Sequence, residues 1–218
     1  MRPAEPPAGR LSCATVQVRE LAISGAWEFV PTVFPDERGT FAAPFQEAAF
    51  TEAVGHPLRV AQVNHSVSRR GTIRGVHFAD VPPSQAKYVY CSRGAALDVV
   101  VDIRVGSPTF GQWEAVRLDS AEFRAVYVSE GLGHSFVALG DNTSVTYLCT
   151  QGYNPSAEHG ITPLDPELGL PWPDESRPIL SAKDLAAPTL AGAAAAGQLP
   201  RYEDCLAYRA RLRGGTGH

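Results

Sequence analysis

The sequence predicts an all-β fold built as a jelly-roll barrel, and two observations support this prediction. From residue 58 to about 153, short apolar runs recur at nearly regular spacing with polar turns between them, which is typical of a sandwich or barrel. The 18 prolines and 20 glycines lie mostly between these runs, where they favour turns over helices. Hydrophobic residues make up 44% of the 218 residues, which is enough for one large domain with a proper core.

The first elements precede the barrel strands. Residues 1–12 read as a flexible tail rich in proline and alanine, followed by strands over 11–21 and 25–34 and a turn over 35–39. A short helix over 45–55 ends at Gly55. The remaining strands are expected in the apolar runs 58–68, 71–78, 86–92, 96–104, 113–118, 123–129, 134–139 and 144–150.

The chain changes character near its end. Residues 181–200 are alanine-rich, and residues 200–214 indicate a closing amphipathic helix. We therefore expect three parts: the flexible tail 1–12, a barrel domain over 13–180, and a helical extension over 181–218 that packs on the barrel.

Charge, hydropathy and cysteine spacing exclude several functions. The net charge of −4 offers no general attraction to nucleic acid or to acidic membranes. No apolar segment has the length of a signal core or a membrane span, so we expect a soluble, cytoplasmic protein. Four distant cysteines match no zinc-binding spacing, and we read Cys91 and Cys149 as buried free thiols.

The stretch RGVHFADVPPSQAKYV, residues 74–89, places three polar side chains where apolar ones would pack better. A lone histidine such as His77 is usually a core residue with one hydrogen bond, but Lys87 is harder to explain because lysine is rarely buried unpaired. Strict alternation separates Arg74 from His77, so both can face one cavity only if Gly75 forms a β-bulge.

A metal site is disfavoured by the histidine pattern. His77 is followed by Phe78 and Ala79, so there is no HxH pair of the kind that holds a metal in many small barrels. His65 and His134 would supply ligands only through an unusual arrangement. We expect neither a metal nor another cofactor.

Several motifs together resemble the dTDP-4-dehydrorhamnose 3,5-epimerase family of metal-free, cupin-type jelly rolls. They run in order over roughly residues 30–185 and include RVAQVNHSVSRRGTIRGVHF, DVVVDIRVGSPTFGQWEAVRL, SEGLGHSFVAL, VTYLCTQGYNP and ITPLDPELGLPWP. The resemblance implies a dTDP-linked 4-keto-6-deoxyhexose as substrate, whose carbons beside the ketone, C3 and C5, are inverted by proton removal and return. It also implies a homodimer with the N-terminal strands exchanged or packed between subunits.

The resemblance assigns four catalytic roles. His77 matches the base, and Asp184 in the segment Ser181–Asp184 matches the aspartate that pairs with it. Lys87 matches the lysine near the keto oxygen, and Tyr147 matches the tyrosine that donates a proton. On local pattern alone, Ser181 and Asp184 equally fit a helix N-terminal box, and that alternative stays open.

The resemblance also assigns the substrate contacts. Residues suited to the sugar and diphosphate are Arg74, His134 and Lys183, with Glu158 as a further contact. Residues suited to the base and to the subunit boundary are Gln62, Asn64, Tyr153, Phe41 and Arg38, the last lent across that boundary.

Two departures from the family pattern stand out. Ala43 occupies the place of a glutamate that normally contacts the nucleotide, and Ala79–Asp80 replace the glutamine that often follows the HF pair. The second change is expected to alter the floor of the pocket. Three alternatives to a double epimerase remain: a monofunctional 3- or 5-epimerase of an antibiotic deoxysugar pathway, a metal-dependent cupin, and a non-catalytic sugar-nucleotide binding module.

Overall fold

The computed structural model describes residues 16–173 and 178–215. The strands before the first helix are β1 (Gln17–Glu20), β2 (Ala26–Val30), β3 (Val33–Asp36) and β4 (Gly39–Ala42). The barrel strands that follow it are β5 (Gln62–Ser68), β6 (Ile73–Ala79), β7 (Lys87–Arg93), β8 (Ala95–Val101), β9 (Trp113–Asp119), β10 (Ala125–Val128), β11 (Gly133–Ala138), β12 (Thr143–Cys149) and β13 (Glu158–Gly160). The helices are α1 (Glu47–Val54), α2 (Ala182–Leu185), α3 (Leu190–Ala195) and α4 (Tyr202–Arg213).

Two antiparallel sheets face each other, as the jelly-roll prediction requires. One sheet has the order β1-β2-β10-β7-β12-β5 and the other β13-β6-β11-β8-β9. Side chains from the inner faces of both sheets form the central core, among them Val89 and Val145 from the first sheet and Val100 and Phe136 from the second. The predicted all-β fold is confirmed, and the space between the sheets is where a ligand cavity can form.

The N-terminal region differs from the prediction. The strand predicted over 25–34 is two strands, because Pro31 between β2 and β3 has no N–H to donate to a sheet. β4 was not predicted; it pairs with β3 as a separate hairpin across the Asp36–Gly39 turn. Residues 1–12 and the start of the strand predicted over 11–21 lie outside the described residues.

The helix predicted over 45–55 is confirmed as α1, which ends at Gly55 with a φ of +92°. Such a left-handed backbone angle favours glycine and stops the helix. The buried residues of α1, Phe50 and Val54, cover the outer face of the six-stranded sheet beside Phe29 and Tyr88. This helix therefore seals the side of the barrel away from the cavity.

The C-terminal extension is helical and packs on the barrel, but α4 is not amphipathic as predicted. Its one buried residue is Cys205. It is fastened instead by polar contacts: Arg213 Nε donates to the Val54 carbonyl at 3.1 Å, and the Arg104 guanidinium lies 4.9 Å from the centre of the Tyr202 ring. Long charged side chains replace an apolar stripe here, so the 3.6-residue pattern was misleading.

The last strand, β13, is short, and the helices are short as well. β13 was not predicted, because three residues are too few to show an alternating pattern. None of the helices within 16–173 and 178–215 has the length and apolar character needed to span a membrane.

Candidate active site

A cavity of about 220 Å³ lies between the two sheets, beyond one end of the central core. Three predicted catalytic residues line it: His77, Lys87 and Tyr147. Five predicted substrate contacts line it as well: Asn64, Arg74, His134, Tyr153 and Glu158. Residues from six strands and one loop, far apart in the sequence, are thus brought together.

The predicted base and its aspartate form a pair. His77 Nε2 lies 2.7 Å from Asp184 Oδ1. The His77 side chain is 36% exposed and that of Asp184 only 6%, so the imidazole stands between the carboxylate and the cavity. Burial alone raises the pKa of the Asp184 carboxyl, but the hydrogen bond and charge of His77 outweigh it and hold that pKa below its usual value. A carboxylate at this place fixes the orientation of the ring and stabilises its protonated form.

Asp184 also fulfils the alternative that the sequence left open. Its backbone N–H donates to Ser181 Oγ at 3.1 Å, so Ser181 caps α2. The cap places the carboxylate on the first turn of a short helix beside β6. The helix box and the pairing with His77 are therefore the same arrangement, and neither excludes the other.

A bulge in β6 turns two residues towards the cavity. His134 pairs with His77 and Phe136 with Arg74, so two residues of β6 stand opposite the single residue Ser135. Gly75 in this bulge has a φ of +111°, and a Cβ there would lie 2.4 Å from the His134 carbonyl oxygen. The predicted bulge is confirmed, and both Arg74 and His77 line the cavity because of it.

Lys87 is a cation without a direct partner. Within the described part of the chain its amino group makes no hydrogen bond or ion pair, although it feels the charges of Glu158 and Asp98. Burial lowers the pKa of this lysine below its usual value. A positive group held in this way is available to an anionic atom that develops in the cavity.

Tyr147 comes from the sheet opposite to His77, so the two side chains stand on opposite walls of the cavity. Its hydroxyl lies 3.3 Å from Ser66 Oγ. Its ring packs against His134 and Phe136, with ring centres 6.1 Å and 6.3 Å away. Burial raises the pKa of Tyr147 well above its usual value, so the hydroxyl keeps its proton until a stronger base appears.

The structure also contains a second histidine–aspartate pair, which sequence reasoning missed. His134 Nε2 lies 2.7 Å from Asp98 Oδ2, with side-chain exposures of 4% and 1%. The other oxygen of Asp98 is buried and has no hydrogen-bond partner in the described residues. The signal was present in ALDVVV, where Asp98 is the one carboxylate in an apolar strand, but its partner lies on another strand.

A chain of amides marks the open end of the cavity. Gln62 Nε2 donates to Asn64 Oδ1 at 2.6 Å, and the Tyr153 backbone N–H donates to Gln62 Oε1 at 3.0 Å. Gln62 thus supports the rim without lining the cavity itself. The Tyr153 ring is 61% exposed and offers a flat face at this end.

Besides Gln62, three predicted contacts lie away from the cavity of this chain. Arg38 and Phe41 lie on the β3–β4 hairpin, where Arg38 pairs with Asp36 and Phe41 is 66% exposed. Lys183 is exposed on α2. That Arg38 serves the site of another subunit stays a prediction.

The expected effect of Ala79 and Asp80 on the pocket floor stays a prediction, because Ala79 touches the cavity only through its strand partner Glu158. Neither residue lines the cavity. Asp80 is turned away and lies 2.8 Å from His159 Nε2, whereas Ala79 borders a separate cavity of about 110 Å³.

The structure was also expected to hold no metal site. Among the described residues, no group of three histidine, cysteine or acidic side chains is arranged to hold a metal ion.

Comparison with known proteins agrees with this site. A family model described as dTDP-4-dehydrorhamnose 3,5-epimerase matches residues 20–192. A relative of that name from Mycolicibacterium smegmatis is 56% identical over 195 residues, which cover 89% of this chain and 96% of the relative. The chain belongs to the dTDP-4-dehydrorhamnose 3,5-epimerase family.

Within this family the chain resembles single-centre and double epimerases alike. A dTDP-4-dehydro-6-deoxyglucose 3-epimerase from Streptomyces bikiniensis is 51% identical over 84% of this chain and 93% of its own length. A crystal structure of a 3'-monoepimerase from that organism, a double mutant in complex with dTDP, aligns with a TM-score of 0.88 and 47% identity over 90% of this chain and 98% of its own. The family prediction made from the sequence is confirmed.

Proposed function

We propose that this chain is a cofactor-independent epimerase that inverts C3, C5 or both in a dTDP-linked 4-keto-6-deoxyhexose. The observation that carries the proposal is the His77–Asp184 pair, whose imidazole opens into a cavity shared with Lys87 and Tyr147. Several relatives are named as 3,5- or 3-epimerases of such sugars, which supports the same substrate class.

The geometry supports each step that such a reaction needs. A C–H beside a ketone is a weak acid, so His77 removes the proton while Asp184 stabilises the imidazolium that forms. The negative charge moves to the C4 oxygen, where the ammonium group of Lys87 stabilises the enolate. Tyr147 then delivers a proton from the opposite wall, and the carbon is inverted.

The rest of the cavity suits the nucleotide diphosphate. Arg74 Nε donates to Ser68 Oγ at 3.2 Å, and the other guanidinium nitrogens have no hydrogen-bond partner within residues 16–173 and 178–215, so they can pair with phosphate oxygens. Tyr153 and Asn64 at the open end suit the face and edge of a pyrimidine base. One related crystal structure, from Streptomyces bikiniensis, contains dTDP.

We further propose a homodimer in which the β3–β4 hairpin of one subunit reaches the cavity of the other. Support comes from the hairpin itself, which pairs with neither large sheet and exposes Phe34 and Phe41. In this arrangement Arg38 and Phe41 would complete the nucleotide end of the partner's site.

A cytoplasmic location is also proposed, because Cys91, Cys149 and Cys205 are free thiols, as is usual in a reducing compartment.

Incubation with dTDP-4-keto-6-deoxyglucose in heavy water tests the proposal. Deuterium at both C3 and C5 would identify a double epimerase, and deuterium at one carbon a single-centre enzyme. The variant His77→Asn should lose exchange while still binding dTDP. Binding of the substrate without any exchange in the wild type would indicate a binding module, and a stoichiometric transition metal in active protein would contradict cofactor independence.

A further inference from the structure

The hydroxyl of Tyr147 has one hydrogen-bond partner within the described residues. That partner is Ser66 Oγ at 3.3 Å, and either atom can be the donor. Ser66 lies on β5, pairs across the sheet with Val145, and is only partly buried where it lines the cavity. Both residues line the cavity and are partly buried, and within the described residues Ser66 is the polar group that holds the Tyr147 hydroxyl there.

A proton-donating tyrosine has to recover its proton in every cycle. Burial keeps Tyr147 protonated at rest, so the phenolate left after donation is unfavourable in this place. The other groups beside the ring are poor sources. His134 Nε2 is engaged by the Asp98 carboxylate, and Phe136 has no polar atom.

We propose that Ser66 is the positioning residue of Tyr147 and relays a proton to it from water in the cavity. This inference rests on the proposed epimerase function. In the relay, the Tyr147 O–H bond breaks as the new C–H bond forms. Ser66 Oγ then gives its proton to the phenolate and takes one from water, while the proton that His77 removed from carbon returns to solvent. One proton enters and one leaves in each turnover, so the cycle is balanced.

The position of Tyr147 also decides which residue returns a proton to the enolate intermediate. If Tyr147 is misplaced or slow to recover its proton, the enolate is reprotonated by His77 on the face from which the proton was taken. In heavy water this event returns labelled substrate of unchanged configuration. The ratio of labelled, unreacted substrate to inverted product therefore measures how well Tyr147 works, independently of how well His77 works.

The matched variants Ser66→Thr and Ser66→Val test the proposal, because their side chains have nearly the same shape and differ in the hydroxyl group. Ser66→Val should lower the rate of inversion about 10- to 100-fold and raise the ratio of labelled substrate to product, with dTDP affinity unchanged. Ser66→Thr should restore both values towards the wild type. Ser92→Ala, an exposed serine in the same sheet, is the control and should behave as the wild type.

The possible failures are distinguishable. A Ser66→Val enzyme with the wild-type ratio would overturn the role of Ser66 alone, and so would a parallel loss of exchange and inversion that Ser66→Thr does not rescue. Melting temperatures of both variants show whether the fold is retained, and Ser66→Ala replaces Ser66→Val if the larger side chain prevents folding. Absence of any label in the wild type would overturn the proposed function and this inference with it.

Discussion

Among the described residues, two histidine–aspartate pairs at the cavity have the same 2.7 Å separation but differ in burial. The His77 ring is about one third exposed, whereas the His134 ring is almost completely buried. In the first pair only the carboxylate is sealed from water. In the second both partners are sealed, and the ring of Tyr147 packs against the histidine.

This difference in exposure shows that a histidine–aspartate pair is not sufficient by itself to make the histidine a general base. A proton acceptor needs a free nitrogen that reaches the substrate, and this requires exposure on one side and a carboxylate on the other. A fully buried pair instead contributes packing and hydrogen bonds, and breaking it leaves an unsatisfied polar group. We therefore propose that His77–Asp184 removes the proton and that His134–Asp98 supports Tyr147.

Of the two paired aspartates, Asp184 should have the larger effect on rate when it is replaced. Asp184→Asn keeps the shape and can still hydrogen-bond, but it no longer stabilises a charged His77, so kcat should fall about 100- to 1000-fold. Stability should change by less than about 1 kcal/mol, because a hydrogen-bonding side chain remains. Steady-state kinetics and urea unfolding check this; a large loss of stability with unchanged kcat would reverse the roles of the two pairs.

Replacement of Asp98 should act mainly on stability. Asp98→Ala leaves the His134 ring buried without its partner, so the free energy of unfolding should fall by about 2 kcal/mol. Chemical denaturation measures this loss. Unchanged stability would show that the buried pair contributes nothing to the fold.

Lys87 is a buried charge without a direct partner in the described residues, and its replacement should therefore stabilise the protein rather than destabilise it. Burial lowers its pKa, so the unfolded chain binds the proton more tightly, and stability should rise with pH as the folded-state pKa is passed. Lys87→Met should thus raise the free energy of unfolding by about 1 kcal/mol while activity is lost. A less stable Lys87→Met variant, measured by thermal unfolding, would show that the charge has a structural partner after all.

The smallest expected effect is the pH dependence of the unfolding free energy that comes from the His77–Asp184 pair. The pKa of Asp184 is lower in the folded protein than in the unfolded chain, so its stabilising contribution is present above the unfolded value and is lost as pH falls through the folded one. The difference in unfolding free energy between wild type and Asp184→Asn should therefore shrink below about pH 4. A difference that stays constant down to pH 2 would contradict the pairing.

Alternation of side chains made much of the site predictable. The two-residue period set Arg74 and His77 on opposite faces, and this conflict predicted the bulge at Gly75, whereas Lys87 and Tyr147 were assigned through the resemblance. Alternation gave no information on the partner of Asp98. Pairing between distant strands depends on register, which alternation within one strand does not determine.

Other parts were accessible only through family resemblance or not at all. Asp184 lies 107 residues after His77, beyond the barrel, and local pattern supported only its place in a helix cap. The contact of α4 through Arg213 and Arg104 has no apolar periodicity to reveal it. Ser66 was missed because a serine on a strand has no distinctive pattern until its neighbour is known.

The most direct test compares label uptake from heavy water by His77→Asn and His134→Asn under saturating substrate. We predict that His77→Asn takes up no deuterium at C3 or C5, whereas His134→Asn, although less stable, still exchanges at a measurable rate at low temperature. Exchange that persists in His77→Asn and disappears in folded His134→Asn would contradict the assignment of proton removal to the half-exposed pair.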